Sequence, residues 1–253
     1  MATAAGSAGT EFLMTDKDFA KISALAARFT GIVLAEHKRS MVYSRIARRV
    51  RATNTGSFRE YLQYLEEHQA GEMDNFINAI TTNLTSFFRE SHRFEYLSKQ
   101  LLPQLRERNA AQRKLRIWSA GSSIGQEAYS IAMCIAEARF PSNWDIRILA
   151  TDLDSNVLET GRRAVYPADH GDPVDAGFRD RYCRYTEDGR ELQVGESLRN
   201  MVSCRRLNLL ERWPMKGQFD IIFCRNVVIY FDPEAQERLW RRFEEALNPG
   251  GWL

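Results

Sequence analysis

A strand that runs into a glycine loop and a helix, followed by a second strand that ends on an acid, leaves a chain few architectures to choose from. Residues 115–154 carry that order: an apolar strand Leu115–Ala120, the loop Gly121-Ser122-Ser123-Ile124-Gly125, a helix Glu127–Ala138, and a strand Asp145–Thr151 closing on Asp152-Leu153-Asp154. Another helix is expected to begin near Ser155, and Phe219–Cys224 is a third, strongly apolar strand. Near-continuous apolar runs suit interior strands of a parallel sheet covered on both faces, so the class is α/β. Between the second and third strands, about 180–204, Asp188-Gly189 sits among short alternating runs and predicts a small antiparallel β insertion.

The preceding residues, 15–100, read as an all-helical N-terminal domain. Phe19, Ile22, Leu25, Ala26 and Phe29 recur at three- and four-residue steps, and Gly31 should end that helix. A second helix, Lys38–Ala52, places Val42, Ile46 and Val50 on one face and Arg45, Arg48 and Arg49 on another, expected to be an exposed stripe. Further helices are expected over Phe58–Glu67 and Gly71–Thr82. Residues 101–114 are polar and charged around Pro103 and read as a linker to the domain at 115–253. Residues 1–14, rich in Ala, Gly, Ser and Thr, read as a disordered lead or cloning remnant with no secretion signal. Asn248–Leu253 reads as a strand beginning after a helix, so the second domain is expected to be cut short at its C-terminus.

Composition limits the function classes. The chain has 253 residues, a formal net charge of +2 and 44% hydrophobic residues, so it should fold, and a polyanionic partner would have to be inferred from charge clusters. Four cysteines without a C-x-x-C pair and four His without matching spacing predict neither disulfides nor a metal site. No apolar run approaches membrane-spanning length, and the expected compartment is the cytoplasm.

A glycine loop between strand and helix can bring backbone N–H groups and a helix dipole to a ligand, but with two glycines rather than three the motif at Gly121 is weak, and any βα turn can require a glycine. Asp152, 27 residues past Gly125 at the carboxyl end of a strand, is placed to accept hydrogen bonds from ribose hydroxyls. Asp154 directly precedes Ser155 and suits a helix cap instead. Glu127 could reach a ligand or merely answer the helix dipole. Asn208-Leu209 could meet an adenine edge or be an ordinary turn. Taken alone, Arg89 reads as a surface ion pair with Glu90 or Glu95, Tyr230 as a packed aromatic, and the arginine stripe as a solvated face.

Three segments change those weights. Thr81-Thr82-Asn83-Leu84-Thr85-Ser86-Phe87-Phe88-Arg89-Glu90, Trp118-Ser119-Ala120-Gly121-Ser122-Ser123-Ile124-Gly125-Gln126-Glu127-Ala128-Tyr129-Ser130 and Phe223-Cys224-Arg225-Asn226-Val227-Val228-Ile229-Tyr230-Phe231 resemble, in order and separation, the chemotaxis receptor glutamate methyltransferases (CheR). The resemblance covers roughly residues 15–253. It implies a Rossmann-like class I methyltransferase domain with a small antiparallel β insertion behind an all-helical domain, with S-adenosyl-L-methionine as cofactor and S-adenosyl-L-homocysteine as product. By the same resemblance Asn83, Thr85 and Arg89 reach over the cofactor from the end of the helical domain, and Gly121, Glu127, Asp152, Asn208, Leu209, Arg225 and Asn226 complete the pocket. Arg89 and Tyr230 would flank the methyl group, and Arg45, Arg48 and Arg49 would dock acidic cytoplasmic helices of chemoreceptors. Gln126 stands where the family often has Glu, and Ala128 where Pro is common. The insertion corresponds to a subdomain that in some members grips a receptor's C-terminal peptide; here its loop at Thr186–Arg190 is short and lacks a Gly-rich turn, which favours a member that needs no such peptide. A monomer is expected, with no nucleic-acid partner and no membrane insertion. The competing readings are a nucleic-acid methyltransferase docking through the basic helix, disfavoured because Cys-Arg-Asn replaces an Asn-Pro-Pro-Tyr-type motif, and a non-catalytic binder of the cofactor or its product.

Overall fold

The computed structural model describes residues 11–253, which divide after Thr81 into two compact units. The lead expected over residues 1–14 falls outside the described residues as far as residue 10. Phe12 belongs to the first unit, where its N–H donates to Tyr43 Oη and its ring meets Phe58 edge-on.

The first unit holds four helices: α1 Asp16–Thr30, α2 Arg39–Ala52, α3 Phe58–Glu67 and α4 Gln69–Ile80. Thr15 and Asp18 exchange side-chain-to-backbone hydrogen bonds at the start of α1, which satisfies two donors that the first turn leaves open. Gly31, at φ 73°, ends it in the left-handed conformation that favours glycine. Phe19, Ile22 and Ala26 of α1 are buried, as are Val42, Ile46, Ala47 and Val50 of α2 and Phe76, Ile77 and Ile80 of α4.

The second unit begins with a continuous helical run, α5 Ser91–Tyr96, a π turn Leu97–Leu101 and α6 Leu102–Arg108. Pro103 has no N–H to donate back along the helix, and the widened turn lies immediately before it. Residues 101–114, expected as a linker, instead begin as packed helix, with Leu101, Leu102 and Leu105 buried. Their spacing is amphipathic, and the polar residues between them hid it. The division between units falls at residue 81, earlier than the sequence suggested.

After α6 come β1 Lys114–Ala120, α7 Gln126–Glu137, β2 Asp145–Asp152, α8 Ser155–Arg163 and β3 Val165–Pro167, then α9 Ala176–Tyr182, β4 Cys183–Tyr185, β5 Glu191–Val194 and α10 Glu196–Arg199. The chain continues through β6 Val202–Arg206, β7 Phe219–Phe223, α11 Pro233–Ala246 and β8 Leu247–Trp252. Five strands form one parallel sheet in the order β6-β2-β1-β7-β8. The insertion is a separate antiparallel sheet, β3-β5-β4, that opens at Val165 rather than near residue 180. Val202–Arg206, expected within it, pairs with β2 in the main sheet. Both differences come from short, half-polar strands whose pairing partner is set by tertiary context.

From β1 the chain moves outward to β2 and β6, then returns to place β7 on the other side of β1. Loops leaving the carboxyl ends of β1 and β7 therefore diverge, and a crevice opens where strand order reverses. Trp118, wholly buried on the central strand β1, donates its indole N–H to Thr151 Oγ1 on β2 at 2.8 Å.

Candidate active site

The loop after β1 adopts conformations that its sequence dictates. Gly121 and Gly125 have φ of 77° and 87°, and a Cβ on Gly121 would collide with the Val227 side chain. The loop's N–H groups are spent internally: those of Gly121 and Ser122 both donate to Thr151 O at 2.8 Å, and that of Ser123 to Asp152 Oδ2 at 2.8 Å. Such a loop is no phosphate cradle, since a cradle needs its donors facing outward.

At the end of β2 the two acids divide their work. Asp154 caps α8, accepting from Asn156 N at 2.9 Å, and its second oxygen takes a hydrogen bond from Asn83 Nδ2 at 2.7 Å. Asp152 is held by Ser123 N and by Asp154 N at 3.1 Å; burial pushes its carboxyl above the ordinary value, against those two backbone donors. Ser123 also donates its hydroxyl to Asn83 O at 2.9 Å, which fixes the segment carrying Thr85, half-buried, and Arg89 beside the glycine loop.

Glu127, in the first turn of α7, accepts from Ser119 Oγ at 2.7 Å and from Arg225 Nη1 at 3.0 Å. Burial raises its carboxyl, while the serine and the guanidinium act the other way. Arg225 is the hub. Its Nη2 donates to the Arg89 carbonyl at 2.5 Å and lies 3.3 Å from Glu90 Oε1, and its guanidinium stacks over Phe94, 5.6 Å from the ring centre. Its Nε is buried without a partner, as are Ser122 Oγ and Gln126 Oε1. Cys224, beside it, is half-buried, and burial, with Glu127 adding to it, pushes its thiol up to about 12.

Arg89 is half-buried and donates Nη1 to Leu84 O at 2.8 Å. Glu90 pairs with Arg93 at 2.7 Å and Glu95 with Lys99 at 3.1 Å. Asn226 is exposed at φ 57°, and the half-buried Tyr230 ends the short turn Val228–Tyr230. After β6, Asn208 Oδ1 accepts from Leu210 N at 3.0 Å, an Asx turn that presents the buried Leu209. Asn83, Thr85, Arg89, Gly121, Glu127, Asp152, Asn208, Leu209, Arg225, Asn226 and Tyr230 all lie in the second unit, on the loops at the carboxyl ends of its parallel strands or on the segment 83–90. Ser119, Ser123 and Glu90 complete the arrangement, and sequence reasoning did not single them out. Ser119 could have been found, because its position at the end of an interior strand leaves a hydroxyl that needs a partner.

In the first unit the expected arginine stripe does not form. Arg45 Nη1 donates to the carbonyls of Ile80 (3.2 Å) and Thr81 (2.6 Å) at the end of α4. Arg49 grips Glu72 through two bonds of 2.8 and 2.7 Å. Only Arg48 of the three is exposed. A helical wheel places the three side by side but does not reveal that α4 covers one flank.

An α/β sheet with a half-buried acid, Asp152, at the carboxyl end of β2 beside a glycine loop is the layout of a cofactor-binding α/β domain. Residues 83–253 match the family described as CheR methyltransferase, SAM binding domain, and residues 17–81 match its all-alpha domain; the chain belongs to the CheR methyltransferase family. It is 43% identical over 244 residues to chemotaxis protein methyltransferase 2 of Pseudomonas aeruginosa, covering 95% of this chain and 85% of that one. It is 41% identical over 246 residues to the chemotaxis protein methyltransferase of Escherichia coli, covering 95% and 83%. No described helix is long and apolar enough to cross a membrane, and no described cluster of His, Cys, Asp or Glu could hold a metal ion.

Proposed function

We propose that the protein transfers the methyl group of S-adenosyl-L-methionine to glutamate side chains on cytoplasmic chemoreceptor helices, and so adjusts chemotactic signalling. The observation that carries this reading is the Glu127–Arg225–Arg89 chain of contacts, which ties a pocket acid to the residue assigned to the acceptor. When bound, S-adenosyl-L-methionine would supply a methyl group on a sulfonium sulfur, a carboxylate oxygen bonding to the methyl carbon in line while the C–S electron pair leaves on sulfur as neutral S-adenosyl-L-homocysteine.

A glutamate is ionised at neutral pH, with an ordinary pKa of ~4.3, so no general base is needed. The protein's part is alignment and exclusion of water, which can supply roughly 7–11 kcal/mol. Asp152 takes the ribose hydroxyls, Asn208 and Leu209 meet the adenine, and Glu127, Arg225, Asn226, Gly121, Asn83 and Thr85 enclose the amino-acid end. Arg89 orients the acceptor with a planar fork that Lys cannot copy, while Tyr230 flanks the methyl. Arg89 keeps one nitrogen on Leu84 O, which holds the fork in place.

Docking of an acidic receptor helix by α2 falls to Arg48, since Arg45 and Arg49 are committed to α4. The short turn at Thr186–Arg190, with Gly189 its one glycine, favours an enzyme that works without a receptor C-terminal peptide. That the enzyme is a cytoplasmic monomer is part of the proposal. The test is transfer of labelled methyl from the cofactor to receptor fragments, scored as base-labile ester. Arg89→Ala should reduce it at least about 100-fold in kcat, on the scale of a lost orienting group. Full activity in that variant removes the role given to Arg89, and a base-stable product removes the ester.

A further inference from the structure

Leu209, the residue assigned to the adenine, is gripped from outside its own turn. Its carbonyl accepts from Trp213 Nε1 at 3.1 Å and from Arg242 Nη1 at 2.7 Å, so both of its lone pairs are taken. The other arm of the same guanidinium donates to the Glu211 carbonyl. Within the turn, the Asn208 carbonyl accepts from Glu211 N at 3.2 Å, and Asn208 Nδ2 donates to Glu211 Oε1 at 3.1 Å. One arginine of α11 thus holds the turn after β6 at two of its carbonyls.

Arginines on a solvated helix commonly pair with a carboxylate one turn away. Arg238 and Arg241 do so, with Glu234 at 2.8 Å and Glu237 at 2.5 Å. Arg242 makes no ion pair among the described residues, and its fork goes to backbone instead. Its guanidinium lies over Trp213, 4.0 Å from the ring centre, and Trp213 packs in turn on the wholly buried Trp118 and Phe243. Burial lowers the Arg242 pKa from the ordinary arginine value, a desolvation that the two carbonyls and the ring offset. An arginine that only fastened α11 to the sheet could hold any carbonyl of the connection 207–218. This one holds that of the residue assigned to the purine.

We propose that Arg242 is a positioning residue for cofactor recognition: by fixing the Leu209 backbone it sets both the affinity and the selectivity for adenine. The inference rests on the proposed assignment of Asn208 and Leu209 to the purine. A turn held in its bound shape before the ligand arrives need not be ordered on binding, which raises affinity. Telling a 6-amino from a 6-oxo purine needs donors and acceptors at fixed places, and a turn free to rotate its peptides can answer either. Arg242 acts through Leu209 and not on the methyl group, so turnover of the filled enzyme should not depend on it.

Calorimetry with the whole protein compares S-adenosyl-L-homocysteine with S-inosyl-L-homocysteine, its 6-oxo purine counterpart. Wild type should prefer the adenosyl ligand by about 30-fold or more, the scale of a buried hydrogen bond left unmet. Arg242→Ala should weaken S-adenosyl-L-homocysteine about 10- to 50-fold and shrink the preference to about threefold, with kcat at saturating cofactor within about twofold of wild type. Lost packing alone would weaken both ligands together and leave their ratio as it was. Trp213→Phe removes one of the two donors to Leu209 and keeps a ring beneath the guanidinium; it should move affinity and ratio the same way, about three- to fivefold, and decides the matter if Arg242→Ala does not fold. Arg241→Ala, one position along α11, should match wild type. An unchanged ratio in the folded variants overturns the role, as does an equal shift in Arg241→Ala, since the effect then belongs to the helix. If wild type binds both ligands equally, the purine is read elsewhere, and the role of Arg242 is overturned while methyl transfer stands. If wild type binds neither, the proposed function has failed and this role falls with it.

Discussion

Each unit buries a carboxylate against an arginine, and the two networks are finished to different degrees. In the helical unit, Glu72 is 5% exposed and is saturated: it accepts two bonds from Arg49, one from Tyr61 Oη at 2.8 Å and one from Asn75 Nδ2 at 3.1 Å. In the second unit, Glu127 and Arg225 are about as buried, yet Arg225 Nε has no partner, and burial leaves Glu127 with a raised pKa. A saturated pair holds helices together. An incomplete one leaves a buried donor unmet, the kind of feature that marks a candidate binding site.

The contrast can be broken most forcefully at Arg225. Arg225→Ala leaves Glu127 buried without its cation, a loss on the scale of ~3–5 kcal/mol for a severed buried pair. Calorimetry should therefore show S-adenosylhomocysteine affinity reduced 100-fold or more. Glu72→Gln should act on the other side of the comparison, lowering stability by about 2–3 kcal/mol in denaturant melts, less than a fully buried pair because Arg49 is partly exposed. Cofactor affinity should be retained, since every residue assigned to the pocket lies in 83–253. A Glu72→Gln protein that melts like wild type would remove the structural role of that network.

The next effect is one of pH. Asp152 and Glu127 both have folded-state values raised by burial, so the ligand-free form is favoured by low pH and loses that stability as pH rises through the raised values. A ligand that needs both acids ionised must bind more tightly across the same window, which opens above the ordinary carboxylate range near ~4. S-adenosylhomocysteine affinity should fall as pH drops toward 5, and Asp152→Asn should flatten part of that slope. An identical slope in the variant would place the proton uptake elsewhere. Smallest of all, Tyr61→Phe removes one bond from Glu72 and should cost about 1 kcal/mol of stability.

Much of the architecture was legible because β1, β2 and β7 each carry a short apolar core and Gly31, Gly121 and Gly125 mark turns that only special backbone angles allow. Val165–Pro167 and Val202–Arg206 were not, because three to five half-polar residues do not announce which sheet they will join. The helix at Leu102–Arg108 was hidden by charged residues between its buried leucines. For the site, resemblance supplied the residues and their order, whereas the division of labour between Asp152 and Asp154 followed from their places at a strand end and before a helix. The arginine stripe was misread for a plain reason: periodicity gives the direction of a side chain, but only packing says what lies there.

The reversal of strand order around β1 also has a kinetic consequence. β1 and β2 are close in sequence, but β7 reaches β1 only after about a hundred intervening residues have found their place, and the Glu127–Arg225 contact spans 98 positions. Contacts of such separation carry a large loop-closure cost and slow the steps that form them. Competence to bind cofactor should therefore be among the last properties to return in refolding, lagging behind helix recovery. The enzyme cannot hold its methyl donor until the sheet has closed on both sides of its first strand.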